Sequence, residues 1–250
     1  MTPSPIRKVL FTFRRHRVRA LLMGGQACIL YGAAEFSRDT DFVVLCDAQN
    51  LRRLRAALRE LNAQPVFVPP LDEKHLLRGH ACHFRCRARG VEGLRVDIMS
   101  VMRGCEPFTS LWARRKQIRL PGLGAINVLS LADLVQAKKT QRDKDWPMIR
   151  RLVEADYSSK RGHPKPSDLV FWFREMRSAE LLIELAHRYP QRAIQISKTR
   201  PLMRHAIRGR ARQLNTALER EQSRERDADR AYWLPLRREL AEFRRDVVRI

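Results

Sequence analysis

LLMGGQACILYGAAEFSRDTDFVVL, residues 21–45, is the stretch that decides how the first half of the chain folds. A short apolar run ends at Gly24 and Gly25, a second apolar run follows, and Asp39 and Asp41 open a third. This pattern predicts a strand, a tight turn into a short helix, and a second strand that begins with the two aspartates. Because residues two apart on a strand point to the same side, both carboxylates should lie on one face of the sheet.

Two like charges on a half-buried strand lose hydration and repel each other, so they need a compensating cation. Asp97 interrupts a later apolar strand, LRVDIMSV, in the same way. Three strand-borne carboxylates can hold two Mg²⁺ or Mn²⁺ ions, an arrangement that supports phosphoryl transfer. Taken singly, each aspartate could instead be an edge-strand charge or the partner of an arginine. The Gly24-Gly25 turn favours the metal interpretation, because such a turn lets backbone N–H groups approach phosphate.

The charge balance points to a polyanionic partner. The 250 residues contain 50 Lys and Arg against 27 Asp and Glu, a formal net charge of +23. Such a field attracts nucleic acid above all, although a basic surface that serves only solubility is the alternative. A hydrophobic content of 44% is enough for a folded core.

Five cysteines without a regular spacing indicate free thiols in a reducing compartment, so we expect a cytoplasmic protein. The segment HACHFRC suggests zinc, but in a strand Cys82 and Cys86 share one face while His83 points to the other. We therefore expect no zinc there. The arginine-rich start followed by an apolar run resembles a targeting peptide, but Gly24, Gly25 and Gln26 interrupt that run. No stretch is apolar enough to span a membrane.

The order of patterns predicts an α/β (α+β) fold: a mixed sheet flanked by helices, then an all-helical basic domain at the C-terminus. We expect a catalytic domain over residues 1–157, a Ser/Gly/Pro/Lys linker over 158–168 and the helical domain over 169–250. Residues 168–190 should form one helix, and a last helix should begin at Pro235. The aromatic run at Phe171, Trp172 and Phe173 indicates packing rather than stacking on nucleic-acid bases.

Three segments together resemble a known superfamily: MGGQACILYG with SRDTDFVVL, then VDIMS, then INVLSLADLVQAKKTQRDKDW. They are similar to the DNA polymerase β-like nucleotidyltransferases, and most of all to minimal bacterial members that include toxins of type IV toxin–antitoxin systems. The resemblance covers roughly residues 18–153. Many of those relatives carry Arg and Thr where this chain has Glu35 and Ser37, which puts the nucleotide preference in doubt.

The resemblance implies a magnesium-dependent enzyme that transfers a nucleoside monophosphate from an NTP such as ATP and releases pyrophosphate. It implies that two Mg²⁺ or Mn²⁺ ions are held by the catalytic residues Asp39, Asp41 and Asp97. It also implies a set of nucleotide-binding residues: Gly24, Gly25, Ser37, Lys138 or Lys139, and Arg142.

The acceptor could be an RNA 3′ end, a protein hydroxyl or a small molecule such as an aminoglycoside. A cationic drug would be repelled by a protein of charge +23, whereas RNA gains from each arginine through counterion release. A tRNA-like RNA is therefore the expected acceptor. The alternatives are an AMPylation-like enzyme that docks an antitoxin or other acidic protein, and a non-catalytic RNA-binding protein on the same scaffold.

Overall fold

The computed structural model describes residues 4–34, 37 and 39–248, without the side chains of Ser4 and of residues 246–248. In chain order the elements are α1 (Ser4–Arg15), β1 (Ala20–Met23), α2 (Gly24–Leu30), β2 (Asp39–Val44), α3 (Ala48–Glu60), β3 (Gln64–Pro65), α4 (Glu73–Arg78), β4 (Cys82–Arg85), β5 (Arg95–Met99), α5 (Phe108–Ala113), β6 (Lys116–Leu120), β7 (Gly124–Val128), α6 (Leu131–Ala137), α7 (Asp145–Lys160), α8 (Pro166–Glu175), α9 (Ala179–Arg188), α10 (Pro190–Ser197), α11 (Met203–Ile207) and α12 (Ala211–Val248).

The strands form one mixed sheet in the order β3-β4-β5-β2-β1-β7-β6. The pairs β2–β5 and β1–β7 are parallel, and the other neighbouring pairs are antiparallel. This mixed sheet with flanking helices confirms the predicted fold class.

The two faces of the central strands differ in chemistry. On β2, Thr40 and Phe42 are buried, and on β5 Val96 and Ile98 are buried, while the residues between them are partly exposed. Helix α1 covers the buried face, where the ring of Phe13 lies 4.6 Å from that of Phe42. Period-two alternation therefore leaves one partly exposed, polar face on β2 and β5.

The chain divides into two compact units at positions that differ from the predicted domains. The first unit comprises residues 1–30, 34–137 and 232–250, and the second comprises 31–33 and 138–231. The predicted linker is not a separator: α7 continues through Lys160, and Pro166 begins α8 inside the second unit. Proline and glycine in this stretch end one helix and begin the next, as they do in any helix–helix connection.

Two helix predictions in the C-terminal half were wrong. The single helix expected over 168–190 is two helices, because the chain becomes extended at Met176 and Ser178 before α9 begins. The break expected at Pro235 is absent, and α12 continues through it. Beyond the proline, Glu239 accepts hydrogen bonds from Arg78 and His80, which fix this part of the helix within the first unit.

The aromatic run confirms the packing interpretation. Trp172 and Phe173 are completely buried, and the Trp172 indole donates to Asp156 at 2.8 Å. The ring of Tyr157 meets Trp172 edge to face. Trp172 and Phe173 thus form core contacts of the second unit and offer no surface to a nucleic-acid base. Within the part of the chain that the structure describes, no helix is both long and apolar enough to cross a membrane.

Candidate active site

The register between β2 and β5 brings the three predicted aspartates onto one face. Asp41 lies directly opposite Asp97 in the parallel pair, and Asp39 lies opposite Arg95. Directly paired residues on neighbouring strands point to the same side of the sheet. We call this surface, which also carries His83 on β4 opposite Asp97, the carboxylate face.

The Asp97 carboxylate contacts the side chains of His83 and Arg95. Its Oδ1 lies 2.8 Å from Nδ1 of His83 and accepts a hydrogen bond of the same length from Nε of Arg95. The side chain is 13% exposed. Burial alone raises the pKa of Asp97, but the hydrogen bonds from His83 and Arg95 outweigh it and hold this pKa below its ordinary value. The carboxylate is therefore ionised at neutral pH.

The pKa of Arg95 is affected by all three carboxylates. Burial lowers the pKa of its guanidinium, but the hydrogen bond to Asp97 and the charges of Asp97, Asp39 and Asp41 raise it overall. An arginine stabilised by three separate aspartates lies where a positive charge is most favourable on this face. A side chain thus supplies one positive charge to a face that carries three carboxylates.

The Gly24-Gly25 turn lies against the aspartates without room for side chains. Gly24 has a φ of +66°, and a Cβ there would lie 1.8 Å from Oδ2 of Asp41. A Cβ on Gly25 would lie 2.4 Å from Oγ of Ser37. The backbone at the start of α2 thus approaches the carboxylate face as closely as only glycine allows.

Hydrogen bonds fix Ser37, which precedes β2. The buried side chain of Gln26 donates to the backbone carbonyl of Ser37 at 2.9 Å. The Ser37 hydroxyl donates to the carbonyl of Asp39 at 3.2 Å. Glu35 and Arg38, whose identities bear on nucleotide preference, lie outside the described residues.

The donor chemistry of this face suits a hard divalent cation, since three carboxylates are the oxygen ligands that Mg²⁺ and Mn²⁺ prefer. The side chains are not already arranged as a finished site: among the described residues, no three carboxylate, imidazole or thiol groups form a cluster ready to hold a metal ion. Asp97 instead engages His83 and Arg95. The residues fit the metal in kind and in placement on one face, and the contacts of Asp97 with His83 and Arg95 both involve its Oδ1.

Lys138, Lys139 and Arg142 belong to the second unit, where each has a carboxylate partner. Lys138 is buried and donates to Asp145 at 3.1 Å, and Arg142 donates to the same carboxylate at 2.8 Å. Lys139 donates to Glu175 at 3.0 Å. Burial raises the pKa of Asp145, but the charge of Lys138 and the neighbouring hydrogen bonds lower it overall. The role of these cations at a triphosphate stays a prediction.

Sequence reasoning missed His83 and Arg95 as neighbours of Asp97. The signal was present in the alternation of the segments CHFR and RVD, which places both side chains on the face of Asp97. What the sequence lacked was the pairing of β4 with β5, which brings His83 opposite Asp97.

The segment that suggested zinc has a different environment. Cys82 and Cys86 are buried, and burial raises the pKa of Cys82 to about 12 and that of Cys86 to about 11. Such thiols stay protonated at neutral pH, whereas zinc binds the thiolate. None of the five cysteines forms a disulfide.

Comparisons with known proteins add no relative to this picture. A search of protein-family models and a search of curated proteins each found no match.

Proposed function

We propose that this protein is a metal-dependent nucleotidyltransferase that transfers a nucleoside monophosphate from an NTP to RNA. The observation that carries the proposal is the pairing of Asp41 with Asp97 across two parallel strands, with Asp39 on the same face and Gly24 against Asp41. This arrangement gathers carboxylates beside a turn that accepts no side chain.

In the proposed reaction, an acceptor hydroxyl forms a bond to the α-phosphorus, the bond to the bridging oxygen of the β-phosphate breaks, and pyrophosphate and the hydroxyl proton leave. Bound Mg²⁺ would neutralise the charge that develops on the phosphate oxygens. Asp39, Asp41 and Asp97 would hold it, and the Gly24-Gly25 backbone would position the nucleotide phosphates. By the resemblance, Asp97, which is ionised at neutral pH, would also help to activate the acceptor hydroxyl.

RNA is the proposed acceptor because of the charge of the chain. A net charge of +23 raises the local concentration of polyanions and disfavours cationic acceptors. The five cysteines, none of which forms a disulfide, fit a reducing compartment, so we place the activity in the cytoplasm. A role as the toxin of a toxin–antitoxin pair is part of the same proposal, with the antitoxin as an additional partner.

One observation favours a second candidate, a non-catalytic RNA-binding protein on the same scaffold. Asp97 is already bound by Arg95 and His83, so this carboxylate has partners of its own without any metal. If the aspartates serve only such contacts, they are structural and the chain only binds RNA.

Label transfer distinguishes these candidates. Purified protein receives Mg²⁺ and each α-labelled NTP in turn, with total RNA and total protein as acceptors in separate reactions. The double variant Asp39→Asn/Asp41→Asn should abolish labelling of RNA. The control Asp143→Asn/Asp227→Asn makes the same charge change at two exposed aspartates and should label RNA like the natural chain. Aspartate-dependent label in protein would replace the acceptor with a protein hydroxyl, and no label with any NTP would favour the non-catalytic candidate.

A further inference from the structure

Two groups of arginines in the second unit differ in their partners. Arg200 is buried and the side chain of Arg177 is 8% exposed. Both bind Glu221, and Arg200 also donates to the backbone carbonyls of Phe173 and Met176. These contacts use the guanidinium groups to hold helices together. Such arginines are already committed to the fold and cannot contact a ligand without breaking it.

The second group is exposed and lies on α11, on the loop after it and on the first turns of α12. None of its members forms an ion pair with any carboxylate that the structure describes. Over residues 198–220 the chain carries seven Lys and Arg and a single acid, Glu219. We call the following residues the α11–α12 basic surface: Arg204, His205, Arg208, Arg210, Arg212 and Arg220.

A cavity of about 410 Å³ opens on this surface. Its wall on α12 follows a four-residue spacing from Arg212 through Thr216 to Arg220, and His205 contributes from α11. Leu214 and Leu218, on the other side of the helix, are buried and keep this wall in place. The positive groups thus line a concave surface on a fixed helix.

The spacing of the cations selects a repeating anion over a single one. Arg212 and Arg220 are eight residues apart, about 12 Å along a helix. A row of cations of this length lets each arginine contact a phosphate of its own along an extended chain of phosphates, which a single small anion does not offer. Guanidinium groups bind phosphate oxygens bidentately, which suits them to a nucleic-acid backbone.

The lining is polar, which separates a nucleic acid from an acidic protein as the partner. Besides His205, Arg212 and Arg220, the cavity is lined by Gln213, Thr216 and Ala217. Protein interfaces are typically anchored by aromatic side chains and Met at a desolvated core. The large apolar side chains nearby, Leu214 and Leu218, are buried within the unit and cannot serve as such anchors.

We propose that the α11–α12 basic surface binds the phosphate backbone of the RNA acceptor. That the bound RNA is also the acceptor rests on the proposed function, whereas RNA binding itself does not depend on catalysis. It assigns to the second unit the recognition of the polyanion, while the carboxylate face of the first unit carries the chemistry.

The test measures binding of a labelled single-stranded RNA by fluorescence anisotropy at several salt concentrations. The variant Arg212→Gln/Arg220→Gln removes two proposed phosphate contacts. Single-strand binding depends on salt with a slope of about −0.7 per phosphate contact, so the slope should flatten by about 1.4 and the affinity should fall about 25-fold at about 0.1 M salt. The control Arg52→Gln/Arg59→Gln makes the same charge change at two exposed arginines of α3 and should change Kd less than about threefold.

If both variants lost RNA affinity equally, net charge alone would explain the effect and the proposal would be overturned. An unchanged Kd for Arg212→Gln/Arg220→Gln would also overturn it. Polyglutamate of matched charge serves as the acidic-protein probe. Binding of polyglutamate as tight as that of RNA, with the same dependence on Arg212 and Arg220, would assign the surface to an acidic protein and also overturn it.

The same assay separates this inference from the proposed function. Asp39→Asn/Asp41→Asn should bind RNA with the Kd of the natural chain, because neither aspartate belongs to the surface. If no label is ever transferred but RNA binding still depends on Arg212 and Arg220, the RNA-binding surface is supported and the nucleotidyltransferase activity is not. If label is transferred to RNA and Arg212→Gln/Arg220→Gln binds RNA and transfers label normally, the nucleotidyltransferase activity is supported and the RNA-binding surface is not.

Discussion

Two groups of charged residues were predicted from sequence motifs: the carboxylate face of the first unit and the cations around Asp145 in the second. The two groups differ in how their charges are compensated. On the carboxylate face, three aspartates meet one arginine, and the adjoining turn accepts only glycine. Around Asp145, a single buried carboxylate meets Lys138, Arg142 and the Thr140 hydroxyl. The first arrangement gathers like charges, which costs free energy, whereas the second satisfies a buried charge from several sides. We infer that the first serves function and that the second stabilises the fold.

The largest effect on stability should come from Lys138→Met. Removing this lysine leaves Asp145 buried with less compensation, and such losses typically cost about 3 kcal/mol of unfolding free energy. Arg142→Met removes a partner that is 58% exposed and should cost less than about 1 kcal/mol. Urea unfolding of both variants measures the two costs.

A different result would break the comparison. If Lys138→Met were as stable as Arg142→Met but failed to transfer label, Lys138 would be a substrate contact, as the sequence motif predicts, rather than a structural partner of Asp145.

A comparable loss, in activity instead of stability, is expected from Gly24→Ala. The new methyl group would collide with the Asp41 carboxylate, and displacing a catalytic group by about 1 Å typically costs about 100-fold in rate. Gly90→Ala is the matched control, because Gly90 also has a positive φ, of +80°, but an added methyl group there would meet no atom within 4 Å. The control isolates backbone strain, about 1 kcal/mol of unfolding free energy, and should keep full label transfer.

Equal activity losses in the two glycine variants would show that backbone strain, and not the contact with Asp41, controls the reaction. In that case the close contact between the Gly24-Gly25 turn and Asp41 would not be needed for activity.

A smaller effect concerns the pH dependence of stability at Asp97. Because its pKa is lower in the folded protein than its ordinary value, its pairing stabilises the fold at neutral pH, and this contribution is lost as pH falls through the folded pKa. Asp97→Asn should lower the unfolding free energy by about 1–2 kcal/mol at pH 7. The difference from the natural chain should shrink below about pH 4. A difference that is independent of pH would mean that the charge of Asp97 contributes nothing to its pairing.

Much of the first unit could be predicted from local patterns. Alternation placed Asp39, Asp41 and Asp97 on strands, and the glycines marked the turn into α2, because both signals depend on residues close together in the chain. The register that sets Asp41 opposite Asp97 could not be predicted, since the pairing of β2 with β5 is set by packing between segments more than fifty residues apart.

The second unit and the end of α12 were harder to predict because their determinants are long-range. Helix α12 continues through Pro235, whose local signal is a helix break, while Leu236 beyond it is buried and Glu239 binds Arg78 and His80. Likewise, sequence alone could not separate Arg200, which binds Glu221 in the interior, from Arg212 on the surface. Tertiary contacts decide both cases, and propensity does not.

The most direct test of the central claim is a titration with Mn²⁺, followed by the relaxation of water protons, on the natural chain and on Asp41→Asn. The account predicts saturable binding by the natural chain and at least about tenfold weaker binding by Asp41→Asn. Arg142→Met, which changes a cation of the second unit, should bind Mn²⁺ like the natural chain. Equal binding by the natural chain and Asp41→Asn, or no saturable binding by the natural chain, would contradict the claim that the carboxylate face is a metal site.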